Sequence, residues 1–489
     1  MSEAPTLNNL LKIIKTNYSL ADTDMVRLAF EYAAAAHQGQ KRKSGEPYII
    51  HPLATAMILA EMKLAMPIVI AGLLHDVPED TPVTLEDIEK NFGKEVATIV
   101  AGITKLSKIK YRGLDRYVEN LRKMFLAMAA DIRVIFVKFA DRLHNLSTLG
   151  ALPPPKRKRI ALETLEIFAP IANRLGMGEM QSLLEEAAFP YAYPKEYQMV
   201  RELVETRYAA AKEYHEKVVR TIKGFLRASQ MKEFEVQGRV KHLYSLFRKL
   251  QKYEMNIDKI YDLFAVRILV PTIADCYTVL GILHSKYVPL KGRIKDYISQ
   301  PKPNGYQSLH TTVFCEDGRI VEFQIRTFEM HEDAEIGVSA HWHYNESGKE
   351  ATKVAKHLTW MKELASLQQE LCGNKDALST INTLKIDVFQ HRIFVFTPRG
   401  DVIDLPEHST PVDFAYSIHS DVGSKCSAAK INGAMVSLDH ELNSGDVCDI
   451  IIDKKRKGPN PDWLKFVKTH GARSKIRLVA KAPKLDVIK

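Results

Sequence analysis

Cysteine is scarce in this sequence, and no two cysteines have the spacing of a metal-binding pair. The five cysteines are scattered without any C-x-x-C motif, at Cys276, Cys315, Cys372, Cys426 and Cys448. Neither a disulfide framework nor a cysteine zinc site is therefore encoded. Any bound metal must be held by histidine and carboxylate side chains.

Long apolar runs, repeats and low-complexity tracts are absent as well. No window approaches the roughly 20 apolar residues that span a bilayer, and the first residues, MSEAPTLNNL, lack the charged and apolar regions of a signal peptide. We therefore expect a cytoplasmic protein without membrane contact. With 489 residues, of which 46% are hydrophobic and 26% charged, the chain has an ordinary globular composition. Its length suffices for about three compact domains.

Positive charge is concentrated in two regions of the chain. Residues 238–302 contain 12 Lys and Arg against 5 Asp and Glu, and residues 453–489 contain 12 against 3. Since the whole chain has a net charge of +10, the remainder is negatively charged. Two separate anion-binding regions are expected. For the second region, a solvated tail and a contact with RNA or another polyanion are equally good interpretations.

Hydrophobic periodicity changes along the chain. Residues 25–150 have the pattern of successive helices, and helix resumes after Pro153-Pro154-Pro155 and continues to about residue 230. From Glu233 the period changes from 3.6 to 2, which predicts an α/β or α+β domain. A polar helical connector then leads to a β-rich module with many turn residues. The strands of the second region are predicted at 234–238, 263–270, 310–315 and 320–327.

Histidine and aspartate recur in three short segments of the helical region: His51, the pair His75-Asp76, and Asp141. A divalent transition ion that activates water needs imidazole and carboxylate ligands with open positions, and this set can supply them. Taken alone, His51 is more simply a core histidine and Asp141 a partner of Arg142 in a helical ion pair. As a set, the residues resemble the HD superfamily of metal-dependent phosphohydrolases.

Further polar residues surround this set. Glu79 and Asp80 follow it, with Pro78 expected to end the helix, and could orient or deprotonate a water. Asn145 and Thr148 fall four and seven residues after Asp141, on one helical face.

The loop Arg42-Lys43-Ser44 could clamp phosphate and base. A basic surface loop without a ligand is the alternative.

Cations and two carboxylates recur in the second region. Asp262 precedes an apolar strand, and alternation places Glu322 on the face opposite Phe323. The two carboxylates are a plausible magnesium pair for phosphoryl transfer.

Tyr306, after an Asn-Gly turn, could stack on a base, and His310 could reach a phosphate. The alternative is a basic loop with a packing tyrosine. Donors that could neutralise a triphosphate cluster at one strand-to-helix junction, namely Arg239, Lys241, Ser245 and Lys249.

With these motifs the chain resembles the RelA/SpoT homologue family, bifunctional enzymes that make and destroy guanosine tetra- and pentaphosphate, the stringent-response alarmones. The first domain carries R-K-S-G-E-P-Y, H-D-x-x-E-D and A-D-R-L-H-N. The second carries G-R-x-K-x-x-Y-S, Y-D-L-x-A-x-R, R-x-K-D-Y-I, P-K-x-N-G-Y-Q-S-L-H and E-x-Q-I-R-T. So many motifs in one order leave little room for coincidence. Thr397-Pro-Arg-Gly-Asp and the segment 410–419 look like the TGS domain of that family.

The resemblance implies a multidomain fold with three folded parts. These are an all-α HD-type hydrolase domain, an α/β synthetase domain with a mixed, nucleotidyltransferase-like sheet, and a small β-grasp-like TGS domain. We place the hydrolase domain at 1–195, the synthetase domain at 196–345, a helical linker at 346–385, the TGS domain at 386–453 and a basic tail at 454–489.

The resemblance also implies roles for individual residues. In the hydrolase, His51, His75, Asp76 and Asp141 would hold Mn²⁺, with Glu79 and Asp80 handling the attacking water. Arg42, Lys43, Ser44, Asn145 and Thr148 would hold the nucleotide. In the synthetase, Asp262 and Glu322 would bind Mg²⁺, and Glu322 is also the candidate base for the 3′-hydroxyl of GTP or GDP. The nucleotide-binding set would comprise Arg239, Lys241, Ser245, Lys249, Arg267, Arg293, Lys295, Lys302, Asn304, Tyr306, His310 and Gln324.

Two details favour a bifunctional enzyme. The H-D-x-x-E-D set, which synthetase-only members have lost, is intact, and Arg293-Ile-Lys-Asp296 is the basic form associated with bifunctional members. We expect the two activities to be antagonistic and coupled through the helices between about residues 151 and 230. The TGS-like module and the basic tail could contact the ribosome or tRNA.

Three other functions compete with this interpretation. A nucleotide phosphohydrolase with an inert second domain would leave the second cation set without a use. A non-catalytic ribosome adaptor would show no metal-dependent turnover. A nucleotidyltransferase acting on RNA ends is disfavoured by the domain order and the N-G-Y-Q-S-L-H motif.

Overall fold

The computed structural model describes most of the chain in two compact units, Met1–Ser366 and Leu367–Lys489. The predicted helical linker at 346–385 and the predicted magnesium ligand Asp262 lie outside the described residues. The described residues are 5–18, 23–107, 127–128, 130–256, 260, 264–302, 304–337, 392–399, 402–443, 445–453, 455–456 and 458–481.

The N-terminal part of the first unit is helical. A π-helical turn at Thr164–Phe168 joins two of the helices, and Tyr193 separates the last two. The helices are α1 (Leu7–Asn17), α2 (Thr23–Ala36), α3 (Ile50–Glu61), α4 (Met66–Leu74), α5 (Val77–Asp80), α6 (Leu85–Ser107), α7 (Arg133–Ser147), α8 (Pro154–Glu163), α9 (Ala169–Arg174), α10 (Gly178–Ala192) and α11 (Pro194–Ala228).

Helix α4 lies at the centre of this bundle because its sequence, MPIVIAGLL, is apolar on every face. It packs against α3, and Gly72 allows the close approach, since a Cβ there would lie 2.5 Å from Leu59 Cδ1.

The expectation that Pro78 ends a helix is wrong. Helix α4 already ends at Leu74, and Pro78 lies in the first turn of α5, where its missing N–H costs no hydrogen bond.

A mixed six-stranded sheet follows α11 in the same unit. Its strands, in their order across the sheet, are β1 (Glu235–Val240), β2 (Phe264–Val270), β6 (Ile320–Thr327), β5 (Leu309–Phe314) and β3 (Val288–Pro289), with β4 (Lys295–Asp296) also paired to β5. Strands β2 and β6 are parallel, with Ala265 opposite Glu322, and the other pairs are antiparallel. The helices of this part are α12 (Leu243–Lys252), α13 (Ile273–Lys286) and α14 (Phe328–Ile336).

The second unit combines short strands with three helices in its described part. Its core joins Val412 and Ala415 to Trp463, Val467 and Ile476, so the chain after residue 460 packs on the module that precedes it. The elements are β7 (Arg392–Phe396), β8 (Val402–Pro406), α15 (Pro411–Ile418), α16 (Ser420–Lys425), β9 (Cys426–Ile431), β10 (Ala434–Val436), β11 (Cys448–Ile452) and α17 (His470–Lys481).

The buried carboxylate of Asp413 fixes this arrangement. It accepts hydrogen bonds from Thr410 at the start of α15 and from the backbone N–H groups of Lys468 and Thr469 before α17. The predicted basic tail is therefore ordered against the TGS-like module as far as it is described. Among the helices that the structure describes, none is long and apolar enough to cross a membrane.

Candidate active sites

Three side chains of the helical region form a potential metal site. His51 on α3, His75 after α4 and Asp141 on α7 place one ligand atom each within 4.8 Å of one another. Asp76 adjoins them, with its carboxylate oxygens 3.2 Å from His75 Nε2 and 3.5 Å from His51 Nε2. All four predicted manganese ligands are thus brought together.

The donor set fits a divalent ion. His75 is fully buried, and its Nδ1 lies 2.8 Å from the carbonyl oxygen of Gly72. Because a carbonyl only accepts, Nδ1 carries the proton and Nε2 keeps its lone pair. That Nε2 is buried without a hydrogen bond partner. A buried imidazole nitrogen beside two carboxylates is the environment that a transition ion requires.

A lysine balances the negative charge of this site. Lys138 Nζ lies 3.0 Å from Asp141 Oδ2. Burial would raise the pKa of Asp141, but the charge of Lys138 holds that pKa well below its ordinary value. Burial would likewise lower the pKa of Lys138, and the charges of Asp141, Asp76 and Glu79 raise it instead. Asp141 is therefore ionised, as a metal ligand must be.

Tyr48 links two of the predicted carboxylates. Its hydroxyl oxygen lies 2.6 Å from Asp80 Oδ2 and 3.0 Å from Asp76 Oδ2, and its single hydrogen is shared between these two carboxylates. Burial, together with these charges, raises the pKa of Tyr48. The backbone carbonyl of Asp80 also accepts a hydrogen bond from Gln40. Asp80 is thus fixed beside the metal cluster.

Four of the five predicted nucleotide-binding residues of this site form two pairs. Arg42 and Asn145 are joined by a hydrogen bond within the cluster, whereas Lys43 and Ser44 are exposed. The hydroxyl of Ser44 donates to Glu46 in the same loop. Thr148 lies at the C-terminus of α7, where its hydroxyl is 3.4 Å from the carbonyl oxygens of two preceding residues.

The second site is a pocket of about 340 Å³ between the sheet and helices α10, α12 and α14. Five predicted residues are not among those that line it: Lys249, Arg293, Lys295, His310 and Glu322. Arg293 and Lys295 are exposed, the latter in β4 opposite His310. The predicted residues that line the pocket are Arg239, Lys241, Ser245, Arg267, Lys302, Asn304, Tyr306 and Gln324.

Glu322 belongs to a polar row beside the pocket. Gln324 Nε2 donates to Glu322 Oε1 at 2.9 Å, and His310 Nδ1 lies 3.5 Å from the same oxygen. His310 Nε2 is in turn 2.8 Å from the hydroxyl of Tyr306. The row joins the predicted base to the predicted stacking residue. Asp262, the other predicted magnesium ligand, lies outside the described residues.

Two buried arginines share one carboxylate in the pocket. Glu335 Oε1 lies 2.9 Å from Arg326 Nη2 and 3.1 Å from Arg267 Nη1. Burial lowers the pKa of Arg267 to about 10, and the charge of Arg326 acts in the same direction. Despite burial, His331 and the two arginines lower the pKa of Glu335 to about 2. The pocket therefore holds fixed positive charge suited to a polyphosphate.

The sequence interpretation missed residues at both sites. At the first it assigned no role to Tyr48 or His144, although His144 follows Asp141 by three residues on one helix, a spacing that places both on one face. At the second it missed Arg326 and Glu335. It also missed Asn173, Gln181 and Ser182, which line the pocket from the helical region.

Sequence models of three known families match the chain. The family described as "HD domain" matches residues 29–178, "Region found in RelA / SpoT proteins" matches 238–349, and "TGS domain" matches 393–452. Together with the helical bundle and the mixed sheet, these matches confirm the predicted multidomain fold class.

Two curated relatives match more than nine tenths of this chain. The guanosine-3′,5′-bis(diphosphate) 3′-pyrophosphohydrolase of Aquifex aeolicus is 47% identical over 92% of this chain and 64% of its own length. The bifunctional (p)ppGpp synthase/hydrolase SpoT of Escherichia coli is 45% identical over 98% of this chain and 68% of its own length. The chain belongs to the RelA/SpoT family. It spans roughly two thirds of the length of these two relatives.

A solved structure resembles part of the chain. The small alarmone synthetase 1 of Bacillus subtilis bound to pppGpp is 24% identical and covers 35% of this chain and 95% of its own. Its TM-score is 0.25, too low for this likeness to support an argument.

Proposed function

We propose that this RelA/SpoT family member both makes and destroys guanosine alarmones. The synthetase transfers a pyrophosphoryl group from ATP to the 3′-oxygen of GTP or GDP, which yields AMP and pppGpp or ppGpp. The hydrolase splits ppGpp with water into GDP and pyrophosphate. The observation that carries this proposal is the presence of two distinct clusters. One is a histidine and aspartate cluster on α3, on α7 and directly after α4, and the other is a cationic pocket beside Glu322.

In the hydrolase we assign Mn²⁺ to His51, His75, Asp76 and Asp141. A bound divalent ion of this kind lowers the pKa of water and polarises a phosphoryl oxygen. Glu79 and Asp80 orient the attacking water and accept its proton. The nucleotide is held by Arg42, by the exposed Lys43 and Ser44, and by Asn145 and Thr148.

In the synthetase we assign Mg²⁺ to Asp262 and Glu322, as hard oxygen ligands. Glu322 also accepts the proton of the attacking 3′-hydroxyl, and its hydrogen bond from Gln324 fixes its orientation. The guanine stacks on Tyr306. The ATP phosphates are held by the arginines and lysines of the pocket, since fixed cations stabilise the charge of a transferring phosphoryl group.

The second unit would supply a contact with RNA. Its TGS region and the basic helix α17 are one packed structure, so the positive charge of that helix is held against a folded surface. We propose a contact with the ribosome or tRNA through this unit. Since ATP, GTP and RNA are its partners, the protein would work in the cytoplasm.

The test is to incubate the purified protein with ATP, GTP and Mg²⁺, and separately with ppGpp and Mn²⁺, and to resolve the products by anion exchange. Asp76→Ala should abolish only the loss of ppGpp, and Glu322→Ala only its synthesis. Hydrolysis without synthesis would reduce the proposal to a plain phosphohydrolase. Activity in neither mixture would favour the adaptor.

A further inference from the structure

The side chain of Arg42 reaches two consecutive residues of α7. Its Nη1 lies 3.1 Å from His144 Nδ1, and its Nη2 donates to Asn145 Oδ1 at 2.5 Å. Each of these residues touches a different member of the metal cluster. His144 Nδ1 is 2.8 Å from His51 Nδ1, and Asn145 Nδ2 donates to Asp141 Oδ1 at 2.5 Å.

These contacts fix the proton on His51. An arginine can only donate hydrogen bonds, so His144 Nδ1 must be an acceptor that carries no hydrogen. His51 Nδ1 faces that same acceptor and must therefore be the donor. A neutral imidazole carries a single proton, so His51 Nε2 keeps its lone pair. This nitrogen is the one that lies 3.2 Å from Asp141 Oδ1, inside the cluster.

The two histidines of the cluster thus obtain the same tautomer in different ways. For His75 the acceptor is the backbone carbonyl of Gly72, which cannot become a donor. For His51 the acceptor is another imidazole, whose own tautomer is set by Arg42. Histidine ligands usually donate to a carboxylate, a carbonyl or water. The acceptor of His51 is therefore conditional on an arginine from a separate loop.

We propose that Arg42, His144 and Asn145 form a brace that positions the metal ligands His51 and Asp141. Arg42 and His144 are positioning residues here, and for Arg42 this role is additional to the nucleotide contact predicted for it. The proposal rests on the proposed hydrolase function only in taking the cluster as a Mn²⁺ site. Both edge nitrogens of the guanidinium are already engaged with protein atoms.

The experiment measures Mn²⁺ affinity in the absence of nucleotide, by electron paramagnetic resonance of the free ion. His144→Phe, which lacks an acceptor, should weaken binding about 10- to 100-fold, as loss of such outer partners does. His144→Gln, which keeps an acceptor oxygen, should weaken it less. Unchanged affinity in His144→Phe, or equal losses in both variants, would show that His144 only fills space.

Arg42→Met tests the other end of the brace. Because Arg42 lies on a loop, its replacement leaves the core intact, and Mn²⁺ affinity should still fall without nucleotide present. In the double variant with His144→Phe, the loss should be smaller than the product of the two single losses, since both act on His51. A residue that only holds nucleotide would leave Mn²⁺ affinity unchanged, and independent effects would multiply.

Asp141→Asn is the control that shows where the measured Mn²⁺ binds. It removes the charge of one predicted ligand and should therefore abolish the binding. Mn²⁺ affinity is measured without any catalytic turnover, so the brace and the hydrolase function can each be contradicted independently of the other. If the wild-type protein hydrolyses ppGpp but His144→Phe binds Mn²⁺ normally, the brace is wrong and the function stands. If the brace variants weaken Mn²⁺ binding but the wild-type protein does not hydrolyse ppGpp, the brace stands and the proposed function is wrong.

Discussion

The ammonium group of Lys302 lies 4.7 Å from the ring centres of both Tyr297 and Tyr306. Burial lowers the pKa of Lys302 to about 8, and the charge of Lys295 acts in the same direction. As the pH rises through this value the side chain loses its proton and with it a cation of the nucleotide pocket. We predict that kcat/KM for synthesis falls above about pH 8, since this parameter reports the free enzyme.

Lys302→Arg is the control, because a guanidinium stays charged throughout this range. The absolute activity of Lys302→Arg need not equal that of the wild-type protein, since the guanidinium and ammonium groups differ in shape. Only the shape of the pH profile matters, and the fall above pH 8 should disappear. An identical fall in both proteins would assign the titration to another group.

Glu335 holds Arg267 and Arg326 side by side, and Glu335→Gln removes the charge between them. Hydrogen bonds to charged groups contribute about 1.5–3 kcal/mol, and we expect a loss of that size in the free energy of unfolding at pH 7. The folded-state pKa is about 2, below the ordinary 4.5. The stabilisation is therefore complete above 4.5 and disappears as the pH falls towards 2.

Urea unfolding at a series of pH values measures this difference. Glu332→Gln on the same helix is the matched control, because Glu332 is 47% exposed and lies 4.0 Å from Lys63. A surface pair of this kind contributes about 0–1 kcal/mol. Equal losses in the two variants, or a difference that persists at low pH, would contradict the role given to Glu335.

At the scale of elements, the end of α14 touches the loop between α9 and α10 backbone to backbone. Gly337 has a φ of 59°, and a Cβ there would lie 2.4 Å from the carbonyl oxygen of Leu175. Gly337→Ala must therefore push the two elements apart. We predict a loss of about 1–3 kcal/mol from overpacking. Residues of both elements line the nucleotide pocket, so KM for synthesis should rise as well.

Gly292→Ala separates this contact from backbone strain. Gly292 has a φ of 74°, but a Cβ there would meet nothing within 4 Å. Both variants carry the cost of a side chain at a positive φ, about 1–3 kcal/mol, and only Gly337→Ala carries the clash. Thermal unfolding midpoints that fall equally in the two variants would show that the contact tolerates a side chain.

The elements themselves were predictable where the sequence pattern is local. Alternation in residues 320–327 predicted β6 with its observed bounds, and it placed Glu322 and Gln324 on one face, where they are hydrogen-bonded. What could not be predicted depends on contacts between distant segments. No local pattern states that His144 faces His51, 93 residues earlier, or that Asn173 lines a pocket formed mainly by the sheet.

Within the first unit as a whole, residues of the helical region line one side of the nucleotide pocket. Asn304 Nδ2 donates to the backbone carbonyl of Asn173 at 3.1 Å and lies 3.2 Å from its side-chain oxygen. Asn304 is two residues from Tyr306, the proposed stacking residue. A nucleotide that orders this segment must therefore act on the end of α9, within the helices predicted to couple the two activities.

We predict that saturating the pocket with GDP and a non-hydrolysable ATP analogue slows ppGpp hydrolysis. Allosteric coupling commonly changes a binding constant by about 5-fold or more. Tyr306→Ala should remove the response, which excludes competition at the hydrolase site, and Asn173→Ala should reduce it by breaking the shared hydrogen bond. Hydrolysis rates with and without the nucleotides measure the effect, as a ratio for each variant. A ratio of one in the wild-type protein would mean that the two sites work independently.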